Sequence, residues 1–380
     1  QLIKKSIIFI FCLVLFSCGN ENKIEDAYTE DLSTLKTTSS GQVIGFKHKN
    51  NSLAWFGIPY AEPPVDELRW RSPVPKKSKK EIIKATAFSD ICFQNRSFVD
   101  YSQEEGKYIG SEDCLYLNIW RPKFIEQTKL LPVIVYIHGG SNKAGWSYEP
   151  NYHGHSYAKK DVILVSIPYR LGVFGFFVHE EFDEKNFALL DLISALQWIN
   201  KNIRFFGGNP TNVTLMGESA GANNINFLMA SPLSKGLFQR VIHQSGGSSI
   251  SYPSDISIEL DLGKKFEELL TKGNTFQDLK EYLKGLSSIE IMNEASEIYN
   301  GHYFDPIVDG KVLIMPLNES IYSGNFHPVD LMIGSNRDEV KFWLAFSKYF
   351  VELDYSLSGS ILGLPKIILK DEDAYEAFNY

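Results

Sequence analysis

The chain has 380 residues, with 38 Lys and Arg against 46 Asp and Glu and a formal net charge of −8. That balance excludes a protein that coats nucleic acid through a basic surface. Its 44% apolar, 13% aromatic and 22% charged residues exclude intrinsic disorder, a collagen-like repeat and a small disulfide scaffold.

Lys4 and Lys5 precede an apolar run from Ile7 to Phe16 that ends in Ser17-Cys18-Gly19. This pattern predicts a signal peptide over residues 1–18, because the run is shorter than the roughly 20 apolar residues that cross a bilayer. Leu15-Phe16-Ser17-Cys18 resembles a bacterial lipobox, with Phe16 bulkier than usual. The expectation is lipidation at Cys18 and anchoring in a bacterial cell envelope; otherwise the protein is secreted or periplasmic and Cys18 is incidental. A lipid anchor is the only membrane contact expected. Residues 19–38 are polar and read as a tether, with the folded domain over 39–380. Gln1 rather than Met opens the chain, so a fragment is expected.

Of four cysteines, Cys12 and Cys18 fall in the leader, leaving Cys92 and Cys114. In an exported chain such a pair most simply forms one disulfide, the alternative being two buried thiols. Neither has the spacing of a zinc site, and no metal or organic cofactor is expected.

Beyond Gly41 come short apolar runs of strand character at Leu131–His138, Val162–Pro168, Val213–Met216, Val241–Gln244 and Asp330–Gly334. Near-continuous Val/Ile/Leu runs are what strands buried on both faces look like. Between the second and third lies Ala188–Asn202, where Leu189, Leu192, Ile193, Leu196 and Ile199 recur every three or four residues, the stripe of an amphipathic helix. Further helices are predicted at Asp261–Lys272 and Phe276–Gly285. This alternation predicts an α/β fold: a mostly parallel central sheet with helices on both faces. No repeat or linker divides it, so one large domain is favoured.

The sharpest chemical signal is Gly217-Glu218-Ser219-Ala220-Gly221, between the strand Val213–Met216 and a helical stretch at Ala222–Ala230. A strand turning at once into a helix strains its central residue, and small neighbours two positions away avoid a clash. The turn sets the Ser219 hydroxyl near a helix N-terminus, whose free amides favour developing negative charge. His138-Gly139-Gly140-Ser141 follows the strand Leu131–Ile137, and its glycines bring backbone N–H groups close to a ligand. With the Ala220 amide they could form an oxyanion hole for a tetrahedral acyl intermediate. Read apart from that context, the first motif is a Gly/Ser turn, the second a bland β-turn.

These motifs, with GIPYAEPPVDELRW at Gly57–Trp70, SEDCLYLNIW at Ser111–Trp120, YRLGVFGF at Tyr169–Phe176 and LFQRVIHQSGG at Leu237–Gly247, resemble the type-B carboxylesterases, the carboxylesterase/cholinesterase family of α/β-hydrolases. The resemblance runs from about Gly41 to at least Lys341. It implies an α/β-hydrolase fold and a disulfide loop at Cys92 and Cys114. It places the nucleophile at Ser219, the oxyanion amides at Gly140, Ser141 and Ala220, and the triad acid at Glu339 in GSNRDE. From the residues alone, Asp338 competes for the acid.

Three departures stand out: Asn142 replaces a frequent Phe, Val340 the Gly after the acid, and Pro168 the Asn before Tyr-Arg-Leu-Gly. The histidine departs further. The family order is Ser, acid, His, yet the eight histidines, at 48, 138, 153, 155, 179, 243, 302 and 327, all precede Glu339. The expectation is a fragment truncated before the catalytic His and inactive as it stands. Substitution by His302 or His327 and a non-catalytic relative are the alternatives. The expected function is hydrolysis of small-molecule carboxylic esters through an acyl-enzyme; the competing reading is a non-catalytic cell-surface binding protein on the same fold. Residues 93–113 contain no Trp to hold a quaternary ammonium by cation–π attraction, which disfavours choline esters.

Overall fold

The computed structural model describes residues 28–96, 107–126, 129–246, 255–299, 301–337 and 339, with the backbone of two further strands at 351–354 and 366–369. The leader, Cys18, Asp338 and Val340 lie outside the described residues.

Five parallel strands form the heart of the main sheet: β9 (Leu131–Ile137), β10 (Ile163–Ile167), β11 (Gly208–Glu218), β12 (Arg240–Gln244) and β13 (Asp330–Gly334). All five coincide with the apolar runs of the sequence. Three antiparallel strands, β3 (Phe46–His48), β4 (Ser52–Pro59) and β8 (Tyr116–Pro122), extend it, giving the order β13-β12-β11-β9-β10-β8-β4-β3. The fold is the expected α/β sheet, mostly parallel with an antiparallel flank. Val133, Val135 and Ile137 on β9, all of β10, and Val213 and Leu215 on β11 are buried, because helices cover both faces of the sheet.

The long helix Phe187–Asn202 buries Leu189, Leu192, Ile193, Leu196 and Ile199, the stripe that its periodicity marks. It is tied to the turn after β10 by a buried pair, with Arg170 Nη2 2.7 Å from Asp191 Oδ1 and the Arg170 amide 3.0 Å from Oδ2. Arg69 and Glu112, 2.6 Å apart and also buried, make the matching link on the antiparallel side. The two helices predicted downstream form at Ile256–Thr271 and Leu279–Gly285; a third, at Ser288–Ile298, opens on a capping box between Ser287 and Glu290.

The tether reading fails for its second half. Asp31 caps a single turn at Leu32–Thr34, accepting from the Ser33 amide at 2.9 Å; Thr34 is fully buried, and its carbonyl accepts from the Trp55 indole at 3.0 Å. Lys36–Thr38 pairs with Gly41–Ile44, which in turn pairs with Lys79–Lys84 in a small separate sheet. Tyr28 stacks on Phe46 at 4.0 Å. The polar composition of 28–38 hides residues whose backbone groups are satisfied by packing, so the fold starts about ten residues earlier than expected.

At the opposite edge, β13 is exposed along its whole length, with Leu331, Met332 and Ile333 at 50%, 68% and 65%. Among the described residues no helix is long and apolar enough to cross a membrane.

Candidate active site

Strand β11 runs into helix α4 (Ala220–Ala230) with Ser219 alone between them, at φ +54° and ψ −122°. A non-glycine residue in this region is strained and persists only where its surroundings hold it. Here the Ser219 amide donates to the Gln244 carbonyl on the neighbouring β12 at 2.9 Å, and its own carbonyl accepts from Asn223 at 3.0 Å in the first turn of α4. The flanking glycines are a steric necessity. A Cβ on Gly217 would lie 2.6 Å from the Gly221 carbonyl carbon, and one on Gly221 would lie 2.2 Å from the Ile137 oxygen. The elbow therefore presses directly on the end of β9.

That end of β9 opens into the loop 138–145. A Cβ on Gly139 would sit 3.1 Å from the Ser219 Cβ, so backbone rather than side chain faces the nucleophile candidate. Gly140, Ser141, Asn142 and Gly145 all have positive φ, at +99°, +56°, +57° and +104°. The amides of Lys143 and Ala144 turn back onto the Gly140 carbonyl, each at 3.0 Å. The far side of the loop is clamped by Gln94, which accepts from the Gly145 amide at 2.8 Å and donates to its carbonyl at 3.0 Å. Gln94 lies two residues beyond Cys92, and Cys92 is joined to Cys114 by a disulfide with a Cα–Cα distance of 4.9 Å. The cysteine pairing expected from the sequence thus anchors a residue that holds the loop.

His138 is not a base in this arrangement. It is buried, stacked on Tyr169 at 4.6 Å, with Nδ1 2.9 Å from the Gly139 carbonyl. Burial pushes its pKa down to about 4, so it is neutral near pH 7. It packs the root of the loop, whose carbonyl at 138 also accepts from the Tyr169 hydroxyl at 3.1 Å.

Glu339 stands just past β13. Its Oε2 accepts from the Ser245 hydroxyl at 2.8 Å and from the Asn336 amide at 3.1 Å, and the Ser245 amide donates to the Gly334 carbonyl at 2.8 Å. The carboxylate is thereby brought to the end of β12 beside the elbow. Glu218, next to the nucleophile candidate, has its pKa raised by burial and by the charges of Glu339 and Glu149.

The two substitute bases are engaged elsewhere. His327 donates its amide to Met229, and its Nε2 lies 2.6 Å from the Ser231 carbonyl, at the end of α4 remote from Ser219; an 11-residue helix spans about 16 Å. His302 packs against Tyr299 and Phe304, with Nε2 3.3 Å from Oε1 of Glu259 on the helix Ile256–Thr271 but without a hydrogen bond to it. Among the described residues no three His, Cys, Asp or Glu side chains are grouped as metal ligands.

The profile of the carboxylesterase family matches residues 32–357. The chain belongs to the carboxylesterase family. It is 38% identical over 311 residues to the para-nitrobenzyl esterase of Bacillus subtilis, covering 80% of this chain and 62% of that protein. It is 29% identical over 399 residues to rat liver carboxylesterase 1F, covering 95% of this chain and 70% of the relative. Among solved structures, a thermophilic pNB esterase superposes with a TM-score of 0.75 at 33% identity, covering 86% of this chain and 67% of the other; a carboxylesterase of Geobacillus stearothermophilus gives 0.71 at 33%, covering 82% and 63%. The chain spans about three fifths of the length of the first curated relatives it matches.

Several residues of the candidate site escape sequence reasoning. Gln94, on the short strand Gln94–Asn95, and Asn224, on the helix Ala220–Ala230, are polar residues with nothing in their spacing to mark them, and Asn142 stands out in the sequence only as a departure from a frequent Phe. Ser245 carried a readable signal: it is the first residue past the strand Val241–Gln244, at the carboxyl end where open α/β sheets place their ligands.

Proposed function

We propose that the protein is a serine hydrolase of small-molecule carboxylic esters. The observation that carries this reading is the Ser219 elbow, strained at positive φ and faced by Gly139, where an added Cβ would lie 3.1 Å from the Ser219 Cβ. Ser219 attacks the ester carbonyl. The amides of Gly140, Ser141 and Ala220 stabilise the oxyanion, and collapse of the tetrahedral intermediate releases the alcohol and leaves an acyl-serine that water hydrolyses. Glu339 orients the general base, a histidine that we assign to a segment following Tyr380. Ester hydrolysis by this route needs no metal or organic cofactor. The names of the para-nitrobenzyl esterase and liver carboxylesterase relatives fit an ester substrate. We further propose export by a signal peptide over residues 1–18 and lipid anchoring at Cys18; palmitate label that Cys18→Ala abolishes supports this, and retained label refutes it.

In the full-length protein, p-nitrophenyl butyrate is turned over, Ser219→Ala removes the activity, and Glu339→Gln lowers kcat by roughly 10³–10⁴, the scale seen when a triad acid is neutralised. Activity that survives Ser219→Ala defeats the reading. A second reading is a non-catalytic binding protein on this fold, since the histidines at 138 and 327 make their contacts away from Ser219. A full-length protein without ester turnover and with no further histidine would establish it.

A further inference from the structure

We propose that Asn142 is the positioning residue of the oxyanion loop, a side-chain bridge that fixes the Gly140 and Ser141 amides relative to Ser219; the inference rests on the serine-hydrolase reading. Three successive residues of this loop, Gly140, Ser141 and Asn142, have positive φ. Only the first is a glycine, so the other two keep that conformation because something holds them.

The holding contacts converge on Asn142. Its Nδ2 donates to the Phe304 carbonyl at 2.6 Å, its Oδ1 accepts from Asn224 Nδ2 at 2.9 Å, and its backbone carbonyl accepts from the Gly172 amide at 2.7 Å. Asn142 and Asn224 are each only 1% exposed. Opening the bridge would leave buried amides without partners, which keeps it closed. Asn224 belongs to α4, the helix that begins at Ser219. The spacing between the loop amides and the Ser219 hydroxyl is thus set through a rigid element rather than by the loop alone. Phe or another apolar residue at 142 could fill the same space but could not make either side-chain bond.

An error of placement in the oxyanion hole is felt in the transition state and not in the binding of the ester, so the predicted signature is a loss in kcat with KM retained. The informative variant is Asn142→Gly, because glycine accepts the positive φ and only the bridge is lost. In the full-length protein, with p-nitrophenyl butyrate and rates normalised to the first-turnover release of p-nitrophenol, Asn142→Gly lowers kcat about 10- to 100-fold. KM stays within about threefold, and affinity for a trifluoromethyl ketone, whose bound oxyanion uses the same amides, falls by a matching factor. Asn224→Ala, which leaves the loop residue in place, lowers kcat by about 3- to 10-fold and serves if the glycine variant does not fold. If turnover depends on Ser219 but both variants keep kcat within twofold, or lose only KM, the assignment of Asn142 is wrong and the hydrolase reading stands. Turnover that does not depend on Ser219 overturns both.

Discussion

Ser219 and the loop opposite it are fixed by backbones in contact, whereas Glu339 hangs from a strand whose apolar residues face outward. On the first side, a single added Cβ at Gly140, Gly217 or Gly221 would meet backbone at 2.0, 2.6 or 2.2 Å. On the second, two hydrogen bonds locate the carboxylate, and Met332 and Ile333 on the preceding strand are about two thirds exposed. The difference teaches where the precision of the site resides. The proposed nucleophile and oxyanion groups are built into the junctions of β9, β11 and β12. The acid is held by two hydrogen bonds at the end of an exposed edge strand.

Gly221→Ala should produce the largest effect, a loss exceeding about 4 kcal/mol, because the neighbour that must give way is the Ile137 carbonyl of the central strand. It is measured as loss of soluble protein or a collapse in Tm; a variant with unchanged Tm would show that the contact relaxes freely. Replacing both Cys92 and Cys114 by Ser should cost about 3 kcal/mol for a loop of 22 residues. It should also lower kcat, since Gln94 then holds Gly145 less firmly. Denaturant titration separates the two effects, and a stability loss with no change in kcat would uncouple the disulfide from the oxyanion loop.

His138 gives the buried side a pH signature. Its pKa falls from 6.5 to about 4 on folding, so the unfolded chain binds the proton first. The stabilisation is complete above pH 6.5, declines as pH falls, and is lost below about pH 4, a change of the order of 3 kcal/mol. Replacing His138 by Asn should flatten stability against pH across that window; an identical slope in the variant would assign the acid lability to other groups. The smallest effect belongs to the exposed side. Met332→Lys in the 380-residue chain should shift stability by no more than about 0.5 kcal/mol and raise solubility. A loss of several kcal/mol would mean that β13 is covered rather than exposed.

The parallel strands were legible because burial on both faces writes itself as continuous Val, Ile and Leu, and the elbow because its steric demand writes itself as glycine at 217 and 221. The antiparallel strands Phe46–His48, Ser52–Pro59 and Tyr116–Pro122 are not legible in this way: they carry Lys47, Asn118 and Arg121 among apolar residues and lack the uniform run. The packed segment 28–38 was missed for the same reason, its polar residues being satisfied by contacts distant in sequence, such as Thr34 with Trp55. The contacts of Gln94, Asn142 and Ser245 are tertiary. An amide or hydroxyl carries no mark of the partner it will meet, whereas a glycine forbidden a side chain does.

The measurement that tests the account most directly is fluorophosphonate labelling of the full-length protein, followed by peptide mapping of the adduct. The account predicts a single phosphonylated residue, Ser219, with labelling lost in Ser219→Ala and slowed in Glu339→Gln. A native protein that takes no label, or an adduct on a different serine, would contradict it.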